Sequence, residues 1–161
     1  MSREKARLHL EKYGFEDRIR EFSVSSATVA LAALAVGVRE EHIAKTLSFS
    51  VNGEAVLIVA AGDAKIDNRK FKDCFYQKAK MLTPDELDAL VGHSVGGVCP
   101  FGVNAGVKVY LDKSLLRFET VYPAAGSANS AVKLTLSELE LASEYEEWID
   151  VTKLPSPENE A

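Results

Sequence analysis

The stretch from Lys45 to Ala61 constrains the fold more than any other part of the sequence. Leu47, Phe49 and Val51 alternate with polar residues and so share one face of a strand, and Lys45 points with them. Asn52-Gly53 is a strong signal for a two-residue hairpin turn, because both residue types accept positive φ. The return run Ala55-Val56-Leu57-Ile58-Val59-Ala60-Ala61 is apolar throughout, which predicts a central strand buried on both faces.

The other elements fall around this hairpin. Ser2 to Tyr13 predicts a helix stopped by Gly14, and Ile19 to Val24 a short strand. A second helix is expected from Ser26 to Gly37, and its run of Val29, Leu31, Ala32, Leu34, Ala35 and Val36 predicts burial on more than one side. Ile66 to Phe75 predicts a basic helix capped by Asp67 or Asn68, and Lys80-Met81-Leu82 a short strand. Thr83-Pro84-Asp85-Glu86 is a helix start with a capping threonine and proline at the first position. Strands are expected at Val107 to Leu111, Glu119 to Tyr122, Ala131 to Leu134 and Trp148 to Val151, with a helical turn at Lys113 to Leu116. An acidic helix capped by Thr135 or Ser137 completes the set.

Strands and helices mingle without regular βαβ alternation. That predicts an α+β fold, a single domain with a mixed, partly antiparallel sheet surrounded by helices. The domain is expected to occupy residues 1–152, with 153–161 an acidic, disordered tail.

The net charge of −5 hides an asymmetry: residues 138–161 carry −7 and the rest of the chain +2. Within that remainder Lys65, Arg69, Lys70, Lys72, Lys78 and Lys80 outnumber Asp67 and Asp73. Such a cluster suits a phosphate backbone, or is simply the solvated face of a helix. No run approaches the roughly 20 apolar residues of a membrane span, and the charged start Met1-Ser2-Arg3-Glu4-Lys5 does not read as a signal peptide. Cys74 and Cys99 make neither a disulfide framework nor a metal-ligand spacing. These features predict a cytoplasmic protein with no membrane partner, no metal and no cofactor.

Gly92 to Gly106 holds five glycines and Pro100 between a helix-like and a strand-like segment. It is either a binding loop or a tight crossover. It lacks the lysine and hydroxyl of a phosphate loop, and no helix follows it as a dinucleotide fingerprint requires. Lys45 is unusual on a buried face. It binds a phosphate or carbonyl oxygen, acts with a depressed pKa as base or Schiff-base amine, or snorkels to solvent. Cys99 has no legible base partner, because His9, His42 and His93 are scattered. Asp63, Asp67 and Asn68 follow the central strand, where such groups line a pocket or cap a helix.

Ile43-Ala44-Lys45-Thr46-Leu47, Gly96-Gly97-Val98-Cys99-Pro100-Phe101-Gly102 and Val109-Tyr110-Leu111-Asp112 resemble, in this order, the YbaK/EbsC family, the aminoacyl-tRNA deacylase or prolyl-tRNA-synthetase-associated editing domain. The resemblance extends from about Arg3 to Asp150 and implies trans-editing. That is hydrolysis of the ester between a wrong amino acid and the terminal ribose of a transfer RNA, tRNA-Pro or a related one. It implies Lys45 as the essential lysine, with Gly96 and Pro100 in the Gly-x-x-x-Pro loop. Substrate contacts are expected from Gly97, Val98, Cys99, Phe101, Gly102, Asp63, Tyr122, Ser127 and Asn129, and the basic cluster predicts RNA contacts from Lys65, Arg69, Lys70 and Lys72. Catalysis in the family leans on the substrate and a positioned water rather than on a protein nucleophile, and a synthetase is a conceivable partner. Where alanine-editing members carry a histidine before the second-loop proline, this chain has Tyr122 before Pro123, and Gly126 stands near the place of their asparagine. Alanine specificity therefore does not carry over. The competing expectations are a non-catalytic tRNA- or nucleotide-binding module of the same fold, and an unrelated small-molecule enzyme using Lys45 as an amine.

Overall fold

A computed structural model describes residues 2–155 of the chain. Its strands are β1 (Ile19–Glu21), β2 (Ile43–Val51), β3 (Glu54–Ala61), β4 (Lys65–Ile66), β5 (Lys108–Asp112), β6 (Thr120–Pro123), β7 (Ser130–Val132), β8 (Leu134–Thr135), β9 (Trp148–Ile149) and β10 (Thr152–Lys153). Its helices are α1 (Ser2–Glu11), α2 (Val29–Val36), α3 (Asn68–Phe75), α4 (Pro84–Glu86, widened into a π-type turn over Leu87–Val91) and α5 (Leu136–Ser143). The main sheet runs β8-β6-β2-β3-β5-β9, with β1–β7 and β4–β10 as separate two-stranded ribbons. Pairing is antiparallel for β2–β3 and β6–β8 and parallel for β2–β6, β3–β5 and β5–β9. The sheet is mixed and helices surround it, as the interspersed pattern predicts.

The hairpin forms as its sequence dictates. Val51 pairs with Glu54, and the two turn residues Asn52 and Gly53 take φ of 52° and 79°. β3 is apolar throughout because both its faces are covered. Ala55, Leu57, Val59 and Ala61 join one core with Leu10, Phe101, Leu115 and Leu139. Val56 and Ile58 join a second with Phe49, Phe71, Ile149 and Val151. Thr83 with Glu86 and Thr135 with Glu138 form reciprocal capping boxes. Asp67 caps α3 by accepting from the Arg69 and Lys70 amides.

Four expectations about single elements need correction. Helix α2 begins at Val29 rather than Ser26, because the Ser26 amide donates to the Ala128 carbonyl and holds that residue outside the helix. Only Ala32 and Ala33 of α2 are buried while Leu34 is 80% exposed, so the helix is covered on one side and not on two. The strand expected at Ala131 to Leu134 divides at Lys133, where β7 pairs with β1 and β8 with β6. The final strand divides likewise, because the buried Asp112 carboxylate accepts from the Val151 amide and the Thr152 hydroxyl and draws the chain off β5. β10 then pairs Lys153 with Lys65, across the boundary expected at 152. Residues 156–161 of the expected tail lie outside the described residues.

Candidate functional site

β2 and β6 run side by side only at Ile43–Tyr122 and Ala44–Pro123. Farther along β2 the same edge is taken up by another segment, through Ser50 N–H to the Lys80 carbonyl and Leu82 N–H to the Ser48 carbonyl. Where the two strands part, a cavity of about 140 Å³ opens, and Lys45, Thr46, Gly96, Val98, Tyr122 and Ala124 are among its walls. The Ser26–Thr28 turn and the start of α2 close another side.

Lys45 sits at this cavity half-buried. Its Nζ donates to the Gly62 carbonyl at 3.3 Å and also to the Ala64 carbonyl. Burial pulls its pKa below the ordinary lysine value and nearby Lys65 adds to that, while the charges of Asp63 and Asp112 act in the opposite direction. Asp63 is turned to Arg117 and is not among the residues that line the cavity. It forms a two-pronged ion pair with Arg117 at 2.6 and 3.0 Å, and that guanidinium holds its carboxyl below the usual range.

The glycine loop is shaped by close approach. Gly96 has φ of 90°, and a Cβ there would stand 3.1 Å from the Ala27 Cβ and 3.3 Å from that of Ala128. A Cβ on Gly97 would lie 2.7 Å from the Ser127 amide nitrogen. Glycines at 96 and 97 thus let three chain segments meet at the cavity. The second loop is braced from behind: Asn129 exchanges bonds with Phe22, and Ser127 Oγ lies within 2.9 Å of Asn129 Oδ1 and 2.7 Å of Ser130 Oγ.

Of the residues expected at the site, the structure brings Lys45, Gly96, Val98 and Tyr122 to the cavity. Gly97, Ser127 and Asn129 support its walls. Cys99 and Phe101 are fully buried in the main core, which swings the loop inward after Val98. Pro100 and Gly102 line a separate hollow beside Lys5 and His9. Ser26, Thr28 and Thr46 line the cavity without having been expected there, and Ala124 and Ser130 line it from the loop that follows Tyr122. Of the first three only Thr46 carried a signal, through its place beside Lys45.

His93 escapes the scattered-histidine reading. It is fully buried, six residues from Cys99, with Cys99 Sγ 3.6 Å from its Nε2. The pair is closed to a substrate. Burial pushes the Cys99 thiol up to about 12, and His93 Nε2 donates to the Phe101 carbonyl at 2.6 Å. Ser2 Oγ lies 2.6 Å from His93 Nδ1 and donates to the Gly126 carbonyl, so this network ties α1 to both loops. Among the basic residues, Lys70 is committed to Asp150 and the Thr152 carbonyl, whereas Lys65, Arg69 and Lys72 are exposed. Lys65 directly follows Ala64, whose carbonyl holds Lys45. Among the described residues no group of three His, Cys, Asp or Glu side chains is placed to hold a metal ion, and no helix is long and apolar enough to cross a membrane.

The mixed sheet thus places a lysine and a glycine loop at the parting of two parallel strands. Residues 24–141 match the family model of the aminoacyl-tRNA editing domain, and the chain belongs to that family. It is 52% identical over 154 residues to the uncharacterized protein YwhH of Bacillus subtilis (strain 168), covering 95% of this chain and 98% of that one. It is 31% identical over 90 residues to the proline–tRNA ligase of Pelobacter propionicus, where the match spans 55% of this chain but 16% of the ligase. A crystal structure described as a candidate trans-editing enzyme for prolyl-tRNA synthetase superposes with a TM-score of 0.84 at 29% identity, covering 94% of this chain and 97% of the other.

Proposed function

We propose that this protein is a trans-editing aminoacyl-tRNA deacylase of the cytoplasm, acting on mischarged tRNA-Pro or a related transfer RNA. The observation that carries this is the convergence of Lys45, Gly96 and Val98 on one cavity in a chain of the editing family. Two of the three Lys45 ammonium hydrogens are held by backbone carbonyls, and the third is left for the ester carbonyl or the terminal phosphate. The Gly97 amide is spent on the Ser94 carbonyl, which leaves the Gly96 and Val98 amides as the loop's donors to a developing oxyanion.

Water adds to the ester carbonyl, and the ribose oxygen leaves with a proton. The closed Cys99–His93 pair argues against Cys99 as a nucleophile, and the base, as the family resemblance implies, is a group of the substrate itself working on a water held in the cavity. The exposure of Lys65, Arg69 and Lys72 supports assigning the RNA backbone to them. The engagement of Lys45 by carbonyls also suits a second reading, a module that holds aminoacyl-tRNA without cleaving it.

Deacylation of a panel of mischarged transfer RNAs, with prolyl-tRNA synthetase present and absent, decides between them. Selective turnover supports editing, and salt-sensitive binding without turnover supports the module.

A further inference from the structure

Thr46 is the most uncommitted polar residue on β2. The backbone groups of Ser48 and Ser50 point away from β3, since they bond to Leu82 and Lys80. By the two-residue period of a strand, the amide and carbonyl of Thr46 point the same way, into the gap that β6 leaves after Ala44–Pro123. Its hydroxyl is also buried without a hydrogen-bond partner. Ser26, on the opposing turn, has a second buried hydroxyl without a partner. Two other hydroxyls of the wall are in use: Thr28 Oγ1 accepts from the Leu31 amide, and Ser130 Oγ pairs with Ser127. Both uncommitted residues line the cavity, whose remaining walls include Val29, Ile43 and Val98.

Buried polar groups without partners are costly, and a ligand that supplies the partner recovers that cost. The cavity, at about 140 Å³, is several waters in size and far below a drug-sized pocket, so it takes the head of a small amino acid. We infer that it selects aminoacyl groups bearing a side-chain hydroxyl, seryl or threonyl, with Ser26 and Thr46 as the residues that read the hydroxyl. A turn about χ1 brings either hydroxyl toward the ligand without moving the backbone. An alanyl group would leave both unpaired, and a site built to bond a hydroxyl discriminates strongly against an analogue without one. The inference rests on the proposed editing function and names its substrate.

The test is single-turnover deacylation of one transfer RNA charged with serine, threonine or alanine, by wild type, Thr46→Val and Ser26→Ala, with thermal melts to establish folding. Calorimetric binding of amide-linked seryl- and alanyl-adenosine accompanies it. Wild type is expected to favour seryl over alanyl by ~10-fold or more, and each variant to bring that ratio toward one. Faster alanyl turnover by wild type, or a ratio unmoved in both folded variants, overturns the inference. If nothing is hydrolysed, a seryl preference in binding upholds the selectivity while removing the proposed hydrolysis, and equal binding overturns the selectivity. Should the variants not fold, the wild-type ratios decide alone.

Discussion

Lys45 donates from Nζ to the carbonyl oxygen of Gly62 at 3.3 Å, so the side chain that faces the cavity also fastens the turn leaving β3. Replacement by alanine should therefore act twice. Gly62 and Ala64 lose their donor, at a cost of about 1–3 kcal/mol in urea unfolding, and deacylation falls by roughly 100-fold or more. Lys45→Met keeps the stem and loses the charge. It should reproduce the loss of activity, and full activity in Lys45→Met would show that the ammonium is dispensable.

Gly97→Ala puts a Cβ 2.7 Å from the Ser127 amide nitrogen, a backbone atom that cannot swing aside. The two loops must separate, with a loss of about 1–3 kcal/mol and a fall in activity, since Gly96 and Val98 move with the loop. Unfolding titrations and single-turnover rates on the same preparation check this. Unchanged values for both would mean that the loops are not braced against each other.

Cys99 supplies a pH signature. Its thiol is raised from an ordinary value of 9.0 to about 12 by burial. Below pH 9 the thiol is protonated whether the chain is folded or not, and it contributes no pH dependence. Between pH 9 and 12 the unfolded chain ionises and the folded one does not, so stability falls as pH rises, by roughly 1 kcal/mol per pH unit. The fall of stability with pH in that window should be shallower in Cys99→Ala than in wild type by that amount, and the variant should remain active. In native wild type, Cys74 should alkylate well before Cys99, because it is partly exposed while Cys99 is closed.

The basic cluster divides into two kinds of residue. Arg69→Ala and Lys72→Ala should weaken transfer RNA binding at all sequences alike and reduce the salt slope by about 1 each. Lys70→Ala should instead loosen the junction of α3 with β10, where its ammonium meets Asp150 at 3.1 Å and the Thr152 carbonyl at 2.8 Å. Binding isotherms over a range of salt, beside melting curves, separate the two effects.

Much of this fold is legible in local signals. Asn52-Gly53 sets the hairpin, the capping boxes at Thr83 and Thr135 place two helix starts, and the unbroken apolar run marks β3 as central. What is not legible arises from contacts distant in sequence. The split between β9 and β10 depends on Asp112, some forty residues away, and the start of α2 on a bond from Ser26 to Ala128. The site follows the same rule. Lys45 stands out because a lysine is rare on an apolar strand face, and Gly96 because of its loop. Ala27 carries no signal, since an alanine in a cavity wall looks like any other. The burial of Cys99 and the place of Pro100 at a second hollow are not legible either, because the turn of their loop toward the core depends on distant contacts.

The central claim is that ester hydrolysis takes place at the cavity where β2 and β6 part. The most direct measurement is single-turnover deacylation of mischarged tRNA-Pro by wild type beside Ala124→Leu, which fills that cavity from its wall without touching Lys45's carbonyl partners. Hydrolysis by wild type, and its loss in a variant that melts like wild type, is the predicted result. Equal turnover by the two proteins would place the chemistry elsewhere and contradict the account.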